Sequence, residues 1–223
     1  MKKLKLLAIL VAIAVFSGCA GQVQSESATD SVSESSVITE DREEILQLMQ
    51  DYGVFYYDYF YGLSDSYIRK NINRSKYVTV EETILTGANA GETYEQYYYK
   101  LKGDGITTEN ALYESASKLC TQKYIDEQLS LTIAHLYQIS DGDLYVCDFG
   151  AGGLLGYCSL SLDTIEKTAD DTLSLGFTAH GDDEMGTSDR EFTVIVKTTE
   201  YGMGIDECDP FACDCLATFK TID

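Results

Sequence analysis

Residues 134–149 read AHLYQISDGDLYVCDF, and their pattern decides the fold class. Two short apolar runs, Ala134 to Ile139 and Leu144 to Phe149, flank Ser140-Asp141-Gly142-Asp143. An Asp-Gly pair between apolar runs is a strong short-range hairpin signal, because a tight hairpin turn needs backbone that Asp and Gly tolerate. Downstream the texture repeats. Leu154 to Leu162, Thr172 to Thr178, Glu191 to Thr199 and Leu216 to Ile222 all read as strands, separated by loops rich in Asp and Gly. Strands joined by short turns imply an antiparallel sheet.

Upstream the period changes. Ile45, Leu48, Met49, Tyr52, Tyr56, Tyr59, Phe60 and Leu63 recur at helical spacing. Asp41 with Glu44 three residues later forms a capping signal, and Gly62 sits where the helix should stop. Residues 76–85 (KYVTVEETIL) alternate as a strand, whereas Thr93 to Lys102 fits strand or helix. Beyond the Gly103-Asp104-Gly105 break, Leu112, Ala116, Leu119, Tyr124 and Ile125 point to a helix or helix pair ending near Leu129. Helices followed by a run of strands is the order of an α+β domain, with N-terminal helices packed on one face of a curved antiparallel sheet. Such a sheet wrapped around helices resembles the cystatin-like or nuclear-transport-factor-like superfold, whose members share architecture and not function.

The N-terminus carries an address. Lys2, Lys3 and Lys5 precede an apolar run from Leu6 to Phe16, which is too short to span a bilayer comfortably and has the length of a signal-peptide core. It ends in Phe16-Ser17-Gly18-Cys19, which resembles the lipobox of bacterial lipoproteins. The resemblance implies cleavage before Cys19 and lipidation of its thiol. The chain then divides into a signal peptide (1–18), a lipidated flexible tether (19–40) and one extracytoplasmic domain (41–223). The tether expectation rests on Ala20 to Ser36, mostly Ser, Gln, Glu and Thr with hardly an apolar side chain, which cannot bury enough surface to offset its ordering entropy. The location expected is the bacterial cell membrane, on the outer face, held through the lipid on Cys19.

Charge narrows the partners. With 16 basic against 37 acidic residues the formal charge is −21, and removal of three lysines with the signal takes it to about −24. Nucleic acid is excluded as an electrostatic partner, since no phosphate backbone would be neutralised. A protein partner should offer a basic or neutral face.

The chemistry-bearing residues are few. Besides Cys19 the cysteines are Cys120, Cys147, Cys158, Cys208, Cys213 and Cys215, an even number that suits three disulfides in an exported chain. Cys147 with Cys158 can bridge consecutive strands, and Cys208 with Cys213 or Cys215 can close a short loop. Free thiols remain an alternative, and zinc is disfavoured because the spacing lacks a Cys-x2-Cys knuckle and has no nearby His. His135 and His180 are the only histidines, and nothing in the sequence places either beside a cysteine as a nucleophile's base. Asp182, Asp183, Glu184 and Asp189 could face calcium but do not form an EF-hand loop. Gly150-Ala151-Gly152-Gly153 has no helix behind it and so makes a poor phosphate cradle. No cofactor is expected.

Seventeen tyrosines remain to be placed. Tyr56, Tyr57, Tyr59 and Tyr61 cannot all face one core, nor can Tyr97, Tyr98 and Tyr99, so some phenols must be accessible; they suit sugar or protein contacts, or else line the sheet–helix seam with hydroxyls reaching water. One stretch then suggests a family. Tyr99-Lys100-Leu101, the Gly103-Asp104-Gly105 break, the helical Leu119-Cys120-Thr121 and Tyr124-Ile125, then Leu136-Tyr137 and Asp141-Gly142-Asp143-Leu144-Tyr145, resemble IseA-type inhibitors of cell-wall DL-endopeptidases. The resemblance implies an extracytoplasmic, non-enzymatic protein that occupies the cleft of a cell-wall hydrolase. On this reading the loops at Gly150 to Gly153 and Asp182, Asp183 and Glu184 are the docking candidates. The alternative is an envelope hydrolase using acidic or Cys/His residues.

Overall fold

The computed structural model describes residues 34–61, 66–84, 89–147, 156–219 and 221–222. Cys19, Gly62, Leu63 and the Gly150 to Gly153 loop fall outside the described residues. Helix α1 spans Glu34–Tyr56 and passes into a π-helical turn, Tyr57–Tyr61. It therefore starts seven residues before Asp41, which lies inside the helix rather than capping it. The short α2 (Tyr67–Asn71) leads into β1 (Ile72–Thr83) and β2 (Thr93–Leu101). Next come α3 (Glu109–Ser117), capped by the Thr108 hydroxyl, and α4 (Gln122–Tyr124), capped by Thr121. A second π-turn, Ile125–Leu129, joins α4 to α5 (Ser130–Leu136).

The expected α+β architecture is present, with its strands in two antiparallel sheets of four. One has the order β1-β2-β4-β3, where β3 is Tyr137–Ser140 and β4 is Asp143–Cys147. The expected turn joins β3 to β4. Asp141 (φ 53°) and Gly142 (φ 79°) both take left-handed backbone, as a type I′ hairpin turn demands. The other sheet is a meander of β5 (Tyr157–Ala169), β6 (Thr172–Gly181), β7 (Arg190–Thr199) and β8 (Gly202–Cys208). Leu160, Leu162, Leu175, Phe177, Ala179, Val194 and Val196 alternate along it and are buried. They join one core with Ile45, Met49 and Tyr52 of α1 and with Leu144 and Val146 of β4.

The C-terminal strand expected over Leu216 to Ile222 is instead the end of helix α6, Pro210–Thr218. The physical reason lies upstream. The Asp209 side chain accepts from the Ala212 amide at 2.7 Å, and Pro210 occupies the first helical position, where its missing N–H costs nothing. Ala212, Cys213, Cys215, Leu216 and Ala217 are then buried between α1 and the meander.

Helices and meander are riveted at one point. Asp206 on β8 is nearly inaccessible, yet its carboxylate meets Lys197 Nζ at 2.9 Å, Lys123 Nζ at 3.4 Å and the Thr121 hydroxyl at 2.8 Å. Backbone bonds from Thr121 N–H to Ile205 and from Ile205 N–H to Leu119 close the same joint. Burial alone would raise this carboxyl, but hydrogen bonds from Lys197 and Thr121 and the two ammonium charges outweigh it and hold it below its ordinary range.

Candidate functional site

Three places gather chemistry. The first is the ribbon formed by β1 and β2. They pair from Ile72↔Leu101 to Thr83↔Thr93, but β4 covers β2 only from Tyr98 to Lys100. The outer half is therefore two-stranded. Because side chains alternate, Tyr98 points inward and is buried while its neighbours Tyr97 and Tyr99 share the opposite face with Tyr77. Tyr98 and Tyr94 both donate to Glu82, at 2.5 and 2.9 Å, which keeps that carboxyl below its usual range. On the other face Tyr77 is 54% exposed and Tyr97 40% exposed. Their ring centroids lie 5.3 Å apart, Tyr97 and Tyr99 stack at 6.5 Å, and the Arg74 guanidinium lies 5.5 Å over Tyr99.

The second place is the outer face of the meander around the acidic loop. Asp182 is built into its own turn: its carboxylate accepts from the Glu184 amide at 2.9 Å, and its carbonyl accepts from Met185 and Thr187. Glu184 is exposed, and Asp183 opens the short 3-10 turn Asp183–Met185. Beside this turn, pairing of β5 with β6 sets Ser161 Oγ 3.0 Å from His180 Nε2, and His180 Nδ1 lies 3.2 Å from Asp189. The other Asp189 oxygen accepts from the Gly181 amide at 2.8 Å, and these two bonds hold its carboxyl low. Ser161 also reaches Asp163 at 2.8 Å, and Thr178 donates to Asp163 at 2.6 Å. Ser161 has one proton and two acceptors. With neutral His180 it can donate to Nε2; with imidazolium it turns to Asp163 and accepts from Nε2–H.

This alignment of hydroxyl, imidazole and carboxylate was not legible in the sequence. The cysteine–histidine pairing is not formed at His180, because the Cys158 thiol points at the carbonyls of His180 and Gly181, at 3.5 and 3.6 Å. His135 lies exposed in the last turn of α5. Among the described residues no group of three His, Cys, Asp or Glu side chains is placed to hold a metal ion.

The third place is sulfur-rich. All six cysteines from Cys120 onward carry free thiols. The Cys147–Cys158 bridge expected across a hairpin is absent because the two belong to different sheets: Cys147 ends β4, while Cys158 starts β5. Burial pushes the Cys147 thiol up to about 11 and that of Cys215 up to about 12. Cys208 and Cys213, by contrast, are brought together. Their sulfurs stand 3.2 Å apart across the junction of β8 and α6, without a bond. Cys213 Sγ also lies 3.2 Å from the Tyr52 hydroxyl and 3.3 Å from that of Tyr124, and the two hydroxyls are 2.6 Å apart. The hydrogen bond shared with Cys208 lowers the Cys213 thiol; burial opposes this, and the two tyrosines reinforce it. Burial pushes Cys208 the other way.

The chain matches no protein-family model and no curated protein. Its function has to be argued from these three places.

Proposed function

We propose that the chain is a lipid-anchored extracytoplasmic binding protein on the outer face of a bacterial membrane, and that it engages a cell-wall hydrolase. The observation that carries the reading is the Tyr77, Tyr97 and Tyr99 face. Three clustered aromatic rings on a ribbon open to solvent supply contact area at low entropy cost. The lipobox-like Phe16 to Cys19 supports the anchor. The helix pair followed by the Asp141-Gly142 hairpin matches the order that the IseA-type resemblance implies. Acidic charge, with Glu184 exposed at the loop tip, steers toward a basic or neutral partner.

The test uses a purified DL-endopeptidase and the purified chain. The expected result is saturable binding with loss of endopeptidase turnover. Tyr77→Ser with Tyr97→Ser should weaken binding by about 10–100-fold, as loss of aromatic contact residues does. The thermal midpoint should fall by no more than about 2–4 °C, because both rings are largely exposed and their mutual contacts contribute about 1 kcal/mol at most. Cys19→Ala should abolish incorporation of labelled fatty acid. An unchanged affinity in the tyrosine variant, or continued lipid labelling in Cys19→Ala, overturns the corresponding half of the reading.

A second reading, an envelope hydrolase, rests on the line Ser161, His180 and Asp189. It has the order of nucleophile, base and orienting carboxylate. Covalent labelling of the protein by a fluorophosphonate, lost in Ser161→Ala and in His180→Gln, would select it. Labelling no greater than in Ser161→Ala eliminates it.

A further inference from the structure

The cluster around Cys213 is more than a structural staple waiting to close. Polar groups crowd the Cys213 sulfur: the Tyr52 and Tyr124 hydroxyls lie beside it, and its thiol faces the Cys208 sulfur at 3.2 Å and the Cys208 carbonyl at 3.8 Å. The bond between the two hydroxyls uses one of their protons and leaves the other for the sulfur. On losing its proton, Cys213 would keep the tyrosine donor and could gain that of Cys208, two hydrogen bonds that favour a thiolate. Both cysteines are buried, but they border a cleft. A cleft of about 370 Å³ has Cys208, Cys213, Pro210, Tyr124, Tyr56 and Leu129 in its wall. The π-turn Ile125–Leu129 shapes one side of it, and widened turns of this kind recur at functional sites.

We propose that Cys208 and Cys213 form a redox-active dithiol that exchanges with small disulfides admitted by this cleft. Cys213 Sγ attacks one sulfur of the incoming disulfide. The S–S bond of that molecule breaks, its first thiolate leaves and takes a proton from water, and a mixed disulfide remains on Cys213. Cys208 then gives its proton to water and attacks Cys213 Sγ, expelling the second thiolate. Two electrons pass from the dithiol to the small disulfide, which ends as two thiols. The sulfurs need to close only from 3.2 Å to a bond of about 2.0 Å, a side-chain adjustment rather than a rearrangement of β8 and α6. The order of attack follows from the geometry: Cys213 is the sulfur flanked by the two tyrosine hydroxyls, and Cys208 is the neighbour placed to resolve.

The proposal stands apart from the binding reading and is tested without a protein partner. Purified chain carrying Cys158→Ser, which removes the exposed thiol, is incubated under native conditions with oxidised glutathione and mapped by mass spectrometry. The expected product is a Cys208–Cys213 disulfide with no retained glutathione. In Cys208→Ser the adduct should accumulate on Cys213, whereas Cys213→Ser should leave Cys208 unmodified. Tyr124→Phe should slow exchange roughly 3–10-fold at pH 7 and move the pH midpoint of the rate upward, because the thiolate loses a donor. A purely structural tyrosine would lower stability without moving that midpoint. Glutathione on Cys208 in Cys213→Ser at the rate seen on Cys213 would overturn the assignment of roles. Absence of any Cys208–Cys213 linkage while the protein stays folded would overturn the site.

Discussion

Gly53 lies within α1 at its crossing with α6, and replacing it by alanine sets two effects against each other. Helix propensity favours the change, since glycine in a helix interior is about 1 kcal/mol worse than alanine. Packing opposes it. A Cβ built on Gly53 would land on the Leu216 carbonyl oxygen and stand 2.9 Å from its carbonyl carbon, backbone atoms that cannot rotate away. Restoring ordinary contact requires α6 to retreat by about 1 Å, and a gap of that size forfeits a quarter to a half of each dispersion contact across the interface. The interface includes Leu216 and Ala217, both buried. Overpacking of this kind costs about 1–3 kcal/mol, and because the atoms met are backbone the upper end applies, so Gly53→Ala should destabilise by about 2 kcal/mol after the propensity gain is subtracted. For a domain of this size that corresponds to a fall of roughly 4–8 °C in Tm. Urea titration followed by far-UV circular dichroism measures it, with the denaturant slope expected to stay constant. A variant as stable as the parent, or more stable, would show that α1 and α6 do not approach as closely as described.

Two carboxylates give predictions of opposite sign. Asp206 is held low by Lys197, Thr121 and Lys123, so its stabilisation is complete above the unfolded value near pH 4 and is lost as pH falls through the folded one. Asp206→Ala should therefore cost about 2–4 kcal/mol at pH 7, measured by urea unfolding, and the gap from the parent should shrink below pH 4. An undiminished gap there would mean the ion pairs are not what Asp206 contributes. Asp214 is pushed up to about 6, by burial first and by Asp209 second. Its protonated form is the one the fold favours, so stability is lost as pH rises from about 4 to 6. Asp214→Asn should gain about 1–2 kcal/mol at pH 7 and nothing below pH 4; equal effects at both pH values would refute this.

What the sequence disclosed, and what it hid, follows from the range of the interactions involved. The β3–β4 turn and the strands of β5, β6 and β7 are legible because their signals are local: Asp141-Gly142 for the turn, and alternation such as Leu175, Phe177 and Ala179 for burial. β8 escapes notice because Gly202-Met203-Gly204-Ile205-Asp206-Glu207 combines two glycines with two acids, a poor strand by propensity, and lysines on β7 and α4 make Asp206 tolerable there. The α6 signal was present in Asp209-Pro210 but competes with a reading of the same residues as a loop between cysteines. Ser161, His180 and Asp189 meet only because β5 and β6 adopt one register, with irregularities at Tyr157/Ser159 and Leu162/Thr164. The tyrosine face required choosing strand over helix for Thr93–Leu101, which a run of three tyrosines does not decide; the pairing with β1 does.

The meeting of α1 with α6 also bears on how the molecule assembles. Tyr52 and Cys213 touch although they stand 161 positions apart in the sequence, and closing a loop of that length carries roughly 4–5 kcal/mol of entropy. The meander, by contrast, zips through turns of a few residues. Assembly should therefore run from β5–β8 outward and finish with α1 laid against α6, leaving Ile45, Met49 and Tyr52 uncovered until the final step. During that interval the first helix presents an apolar stripe to whatever accompanies the emerging chain.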